Sequence, residues 1–160
     1  MKRKARPRPA RKVPAPAGDR LRTILFAIAA VIGAAGVGET IYLTALHLAG
    51  AHVTCIASST CSQVLGSKYA VVGGIPLAAF GVAAYFTVFC AATLAAFRYP
   101  HASRVFGAMV GVMFLGTLWL LYLQAFVLHA FCDYCLLSAA MIFGLTAILM
   151  LLPMPAARQS

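Results

Sequence analysis

Cys132-Asp133-Tyr134-Cys135-Leu136-Leu137-Ser138-Ala139 opens a run that stays apolar as far as Leu152. A polar turn gives way here to a stretch long enough to cross about 30 Å of hydrocarbon. The junction carries two cysteines at a spacing that suits either a metal knuckle or a redox dithiol. Partial positive charge at a helix start lowers a thiol pKa and favours the thiolate, the form that exchanges disulfides.

Three further stretches have the same apolar character, Thr23 to Leu48, Ile75 to Phe97, and Val105 to Leu128. With 62% hydrophobic and 10% charged residues, the 160-residue chain is not an ordinary soluble domain. A spanning segment must satisfy its backbone internally, and these are too long for barrel strands. The expected fold is therefore an all-α integral membrane bundle of four transmembrane helices. It divides into a disordered basic tail (1–22), a four-helix membrane domain (23–153) and a short second tail (154–160). The first span exceeds a signal-peptide apolar region of about 7–15 residues and is expected to remain as a helix.

Nine of the thirteen Lys and Arg residues lie between Lys2 and Arg22. Arg98 and Arg104 flank the turn between spans two and three, and Arg158 follows span four, whereas the 49–74 loop holds only Lys68. The positive-inside rule then puts both termini in the cytoplasm, at the inner membrane of a cell, with the 49–74 loop and Cys132 on the extracytoplasmic face. The Pro-interrupted basic start reads as a topology anchor attracted to anionic lipid, with no nucleic-acid partner.

Four of the five cysteines, Cys55, Cys61, Cys132 and Cys135, fall on that outer face, where disulfides persist. One reading is a non-catalytic membrane protein whose loop disulfides brace its outer face. A bridge across two residues constrains the unfolded chain little, so Cys132 and Cys135 fit a bond that opens and closes. Zinc is disfavoured because Cys55 and Cys61 lack knuckle spacing and no second Cys-x-x-Cys exists. No metal is expected. Cys90, inside span two, reads as a packing residue. Of the catalytic pair, Cys132 is expected nearer water, exchanging with the loop. Cys135, a turn further in, is expected to meet a lipid-soluble oxidant.

Glu39 is the one carboxylate inside a span, and burying it charged is expensive. It reads either as a proton carrier or quinone contact, or as a group satisfied by a neighbouring helix. Gln124 and His129 are expected to face the same outer half, where either could donate to a quinone oxygen. An interhelical hydrogen bond is the plainer reading for Gln124. Asp133 is expected to complement the helix dipole.

Phe131-Cys132-Asp133-Tyr134-Cys135, preceded by a loop pair, resembles the vitamin K epoxide reductase family, including its bacterial homologues. Cys61 to Tyr69, Gly74-Ile75-Pro76-Leu77 with Gly81 and Tyr85, and Thr44-Ala45-Leu46-His47 fit the same pattern, so that the likeness covers residues 23–153. It implies that Cys132 and Cys135 are the catalytic pair beside a quinone of the ubiquinone or menaquinone (vitamin K) type, and that Cys55 and Cys61 are the shuttle pair. It implies a bundle around the quinone headgroup, capped by a short amphipathic helix near Ser62 to Tyr69, with Ser67 lining the site. Many bacterial members carry a fused thioredoxin-like domain. Here only Met154 to Ser160 follow the last span, so the expected partner is a separate soluble thioredoxin-fold, DsbA-like protein whose oxidation supports disulfide-bond formation. The positions of the animal enzymes' quinone-binding Tyr and Asn hold Ala139 and Leu77, which implies quinone reduction rather than epoxide reduction. DsbB-type oxidases carry their two pairs in the opposite order.

Overall fold

The computed structural model describes residues 17–50, 64 and 70–152. Cys55, Cys61, Ser67 and most of the expected 62–69 helix lie outside the described residues. Within that stretch, Val64 is helical and buried.

Four helices are each long and apolar enough to cross a membrane. They are α1 (Ala17–Leu48), α2 (Leu77–Ala96), α3 (Ala102–Tyr122), which runs on into a π-helical segment (Leu123–Leu128), and α4 (Asp133–Leu151). At 1.5 Å per residue, the 20 residues of α2 span roughly 30 Å, a hydrocarbon thickness. The 32 residues of α1 exceed it. That helix starts at Ala17, ahead of the expected boundary at Thr23, and Asp19 in its first turn pairs with Arg98 of the α2–α3 turn.

Span two, expected from Ile75, begins as a helix only at Leu77. Residues Val71–Val72 (β1) and Ile75–Pro76 (β2) form a two-stranded antiparallel hairpin instead. Gly73 and Gly74 form its turn with φ of 61° and 85°, a region that residues with a Cβ rarely adopt. Pro76, with its fixed φ and no N–H to donate, then stands at the N-cap of α2.

Small residues draw α1 and α2 together. A Cβ on Gly36 would land on the Tyr85 ring, and one on Gly33 would sit 3.1 Å from the Phe89 backbone nitrogen. Gly81 returns the contact, since a Cβ there would lie 2.8 Å from Thr40 Cγ2. Lipid is as apolar as the helices, so close backbone approach and dispersion supply the attraction that water supplies in soluble proteins. The helix hydroxyls are satisfied locally. Thr40 Oγ1 donates to the Gly36 carbonyl at 2.7 Å, and Thr44, Thr87, Thr93, Thr117 and Thr146 each bond back one turn in the same way.

The bundle differs between its two ends. At the end holding the start of α1, Phe26, Ala29, Val88, Ala92, Phe106, Val110 and Leu145 pack into a closed core. Phe26 and Phe106 meet there edge to face at 5.5 Å. At the other end the helices part around a cavity. Large apolar side chains such as Val31, Phe86, Leu115 and Met150 point outward, as a lipid-facing surface requires.

Candidate functional site

The cavity holds about 410 Å³ and is bounded by the second half of α1, the first halves of α2 and α4, and the later turns of α3. Its walls are almost wholly apolar, with Leu43, Leu77, Phe80, Met113, Leu120 and Ile142 among them. A few polar groups converge on it: Glu39, His47, Tyr85, Gln124, Cys135 and Ser138. Volume and lining are those of a small-molecule pocket.

Cys132 is the N-cap of α4, with extended backbone (φ −113°, ψ 121°), and Cys135 lies within the first turn. Both are unbridged. They face different surroundings. Cys135 lines the cavity, whereas Cys132 is not among the lining residues and packs beside it with Ala130 and Val64, the latter itself on the cavity wall. Val64 stands three residues after Cys61 in the chain. The expectation that Cys132 lies nearer water is corrected, because it is fully buried and Cys135 is the more exposed. Val64 and Ala130 pack against it, and the chain before α4 folds back to its backbone N–H.

That fold-back is made by the π segment. Gln124 sits in it, buried, and its Oε1 accepts the Cys132 backbone N–H at 3.1 Å. An orphan donor at the start of α4 is thereby satisfied by a side chain eight residues earlier. Gln124 also lines the cavity. His129, expected there too, is a correction. It is exposed, in the left-handed C-cap of the π segment (φ 46°), and is not among the lining residues. The chain must reverse between α3 and α4 within a few residues, and that reversal turns His129 outward.

The Cys132 thiol pKa is lowered to about 7 from an ordinary 9.0. The largest cause is the Cys135 thiol, which donates toward the Cys132 sulfur. The backbone N–H groups of Cys135 and Tyr134 at the helix start add to it. Burial and the charge of Asp133 work in the opposite direction. Asp133 thus complements the helix dipole in the first turn while moderating thiol acidity.

Glu39 lies on the cavity wall of α1. Tyr85 and Ser138 were not singled out from the residues alone. The Tyr85 hydroxyl and Ser138 Oγ are 2.7 Å apart, tying α2 to α4 one turn beyond Cys135. The signal for Ser138 was its spacing, three residues after Cys135 and therefore on the same helix face. Cys90 is a half-buried free thiol outside the cavity lining.

Comparison with known proteins agrees with this architecture. The chain is 33% identical over 116 residues to the thiol-disulfide oxidoreductase LTO1 of Arabidopsis thaliana, an alignment covering 67% of this chain and 31% of that protein. It thus spans less than a third of the relative's length. The model of the vitamin K epoxide reductase family matches residues 27–150, from the first helix to the last. Bundle, cysteine motif and match coincide, and the chain belongs to the vitamin K epoxide reductase family, as an integral membrane protein.

Proposed function

We propose that the protein is a membrane thiol–quinone oxidoreductase that withdraws electrons from a soluble thioredoxin-fold partner and delivers them to a quinone in the bilayer. The observation that carries this reading is the division of the cysteine pair. Cys135 borders an apolar cavity open among the helices, and the buried Cys132 beside it packs against Val64, three residues beyond Cys61. A dithiol so divided can take electrons on one side and release them on the other.

Exchange proceeds by thiolate attack on a disulfide through a mixed disulfide, two electrons at a time. The partner's dithiol reduces the Cys55–Cys61 disulfide and leaves as a disulfide. The loop dithiol then reduces Cys132–Cys135. That pair closes again as two electrons and two protons convert the quinone to quinol. The lowered pKa makes Cys132 the exchanging thiolate at neutral pH. In this reading Ser67 lines the cap over the headgroup, and Gln124 holds the Cys132 backbone in place.

Both termini lie in the cytoplasm and the 49–74 loop lies outside. The clustering of basic residues supports this orientation, as does the Asp19–Arg98 pair, which joins the start of α1 to the α2–α3 turn on one face of the bundle. The basic residues before and in the first turns of α1, and Arg158 after α4, are topology anchors in this reading.

The test is turnover in lipid nanodiscs with a dithiol reductant and a short-chain quinone, following quinol by ultraviolet absorbance and free thiols by trapping. Wild type should cycle its thiols with quinone, and C132S and C135S should not. Thiols that stay fixed on quinone addition would make the bridges structural and overturn the reading.

A further inference from the structure

Both carboxylate oxygens of Glu39 are buried and have no hydrogen-bond partner among the described residues. The groups beside it are committed elsewhere. Thr40 Oγ1 donates to the Gly36 carbonyl, and the Tyr85 hydroxyl is engaged with Ser138. Among the described residues, no Lys or Arg lines the cavity. An unpaired carboxyl in an apolar, membrane-embedded pocket is unfavourable unless something else occupies its hydrogen-bonding capacity. Glu39 is also close enough to Cys132, Cys135 and Tyr85 to interact with them electrostatically.

The proton count gives this carboxyl a task. Converting a quinone to a quinol consumes two electrons and two protons. A pair with Cys132 as thiolate and Cys135 as thiol carries two electrons for transfer but a single proton.

We propose that Glu39 is a catalytic acid that hydrogen-bonds one oxygen of the quinone in the cavity and delivers the proton the cysteine pair lacks. The proposal rests on the quinone reading above. In the balanced step the Cys135 S–H bond breaks and the Cys132–Cys135 bond forms. Two electrons enter the ring, and the protons of Cys135 and Glu39 end on its two oxygens. Glu39 is left as a carboxylate and regains its proton from solvent water. His47, two turns along α1, lines the same cavity and is exposed, and in this proposal the proton returns from that end. Among the described residues, Tyr85, Tyr134 and the two cysteines are the other titratable groups on the lining or beside it.

The experiment compares wild type, E39Q and E39D in nanodiscs, reduced and then offered a water-soluble short-chain naphthoquinone. General acids contribute typically about 10²–10⁴-fold, so E39Q should lose about 10²-fold or more in kcat, and E39D should recover part of it. Reoxidation of the same reduced pair by a soluble aromatic disulfide needs no acid in the cavity and should be unchanged in E39Q. Equal quinone rates in wild type and E39Q would overturn the proposal. So would an equal loss of both reactions, which would assign Glu39 a structural role. Wild type inactive toward quinone but active with the disulfide would remove the quinone reading itself, and this proposal with it. A second measurement needs no variant. Glu39 is the only glutamate in the chain, so ¹³C-glutamate labelling isolates its carboxyl in an infrared difference spectrum. Adding quinone should shift that carbonyl band, and an unmoved band would refute the contact.

Discussion

Replacing Cys135 by Ala removes the largest single cause of the Cys132 acidity. With C55A, C61A and C90A as background, only Cys132 and Cys135 remain, and in C135A only Cys132 does. The parent should show its first ionisation midpoint at about 7, against an ordinary thiol value of 9.0. At pH 7 half of Cys132 is then thiolate, whereas a thiol at the ordinary value is about 1% ionised. The substitution should therefore lower the thiolate fraction at pH 7 by up to about fifty-fold. Part of the shift should survive, because the backbone N–H groups at the start of α4 stay in place. Thiolate absorbance in the ultraviolet, titrated in detergent, reads the midpoint without requiring a reagent to reach a buried sulfur. The stability consequence has a definite sign. The folded pKa is lowered, so the unfolded chain binds more protons between about pH 7 and 9, and the reduced protein gains stability as pH rises through that window. The gain is fully present above the unfolded value and is lost as pH falls through about 7. The disulfide form should lack it. A parent midpoint near 9.0, or one that C135A leaves in place, would refute the reasoning.

Q124L removes the acceptor of the Cys132 N–H and leaves a buried donor unpaired, a loss of about 1–3 kcal/mol. A lower unfolding midpoint in denaturant should record it, and an unchanged midpoint would count against the bond. G36A drives a methyl into the Tyr85 ring at the closest α1–α2 approach, costing about 1–3 kcal/mol by overpacking, whereas G38A meets open space and should be nearly silent. Thermal melting of the two variants separates these outcomes. C61S should trap a reducible adduct between Cys55 and a small soluble Cys-x-x-Cys protein on non-reducing gels, absent when Cys55 is also replaced. An adduct that forms on Cys132 without Cys55 would leave the loop pair structural.

Hydropathy made the four spans readable because lipid-facing and core-facing residues are alike apolar, so each helix announces its length. The same uniformity hides rotation. Nothing in Val105 to Leu128 distinguishes the wall of a cavity from a lipid face, and the π-helical turn at Leu123–Leu128 has no sequence signature of the kind Gly73-Gly74 gives the hairpin. That turn decides two residues at once, carrying Gln124 inward to Cys132 and His129 outward. The position of Cys132 followed from its motif, but its burial depends on Val64, far away in sequence. Glu39 stood out because a lone carboxylate in a span is rare. Its lack of a partner required the neighbouring hydroxyls to be placed first.

Gly33, Gly36 and Gly81 fix how far the two electron reservoirs can be kept apart. By letting α1 and α2 close to backbone contact, they hold that seam of the bundle tight. Under the proposed relay, a reduced protein outside and an oxidised carrier in the lipid then have no common space in which to collide. In that reading electrons cross only by making and breaking sulfur–sulfur bonds at Cys132 and Cys135, in a bundle whose α1–α2 seam is packed at Gly33, Gly36 and Gly81.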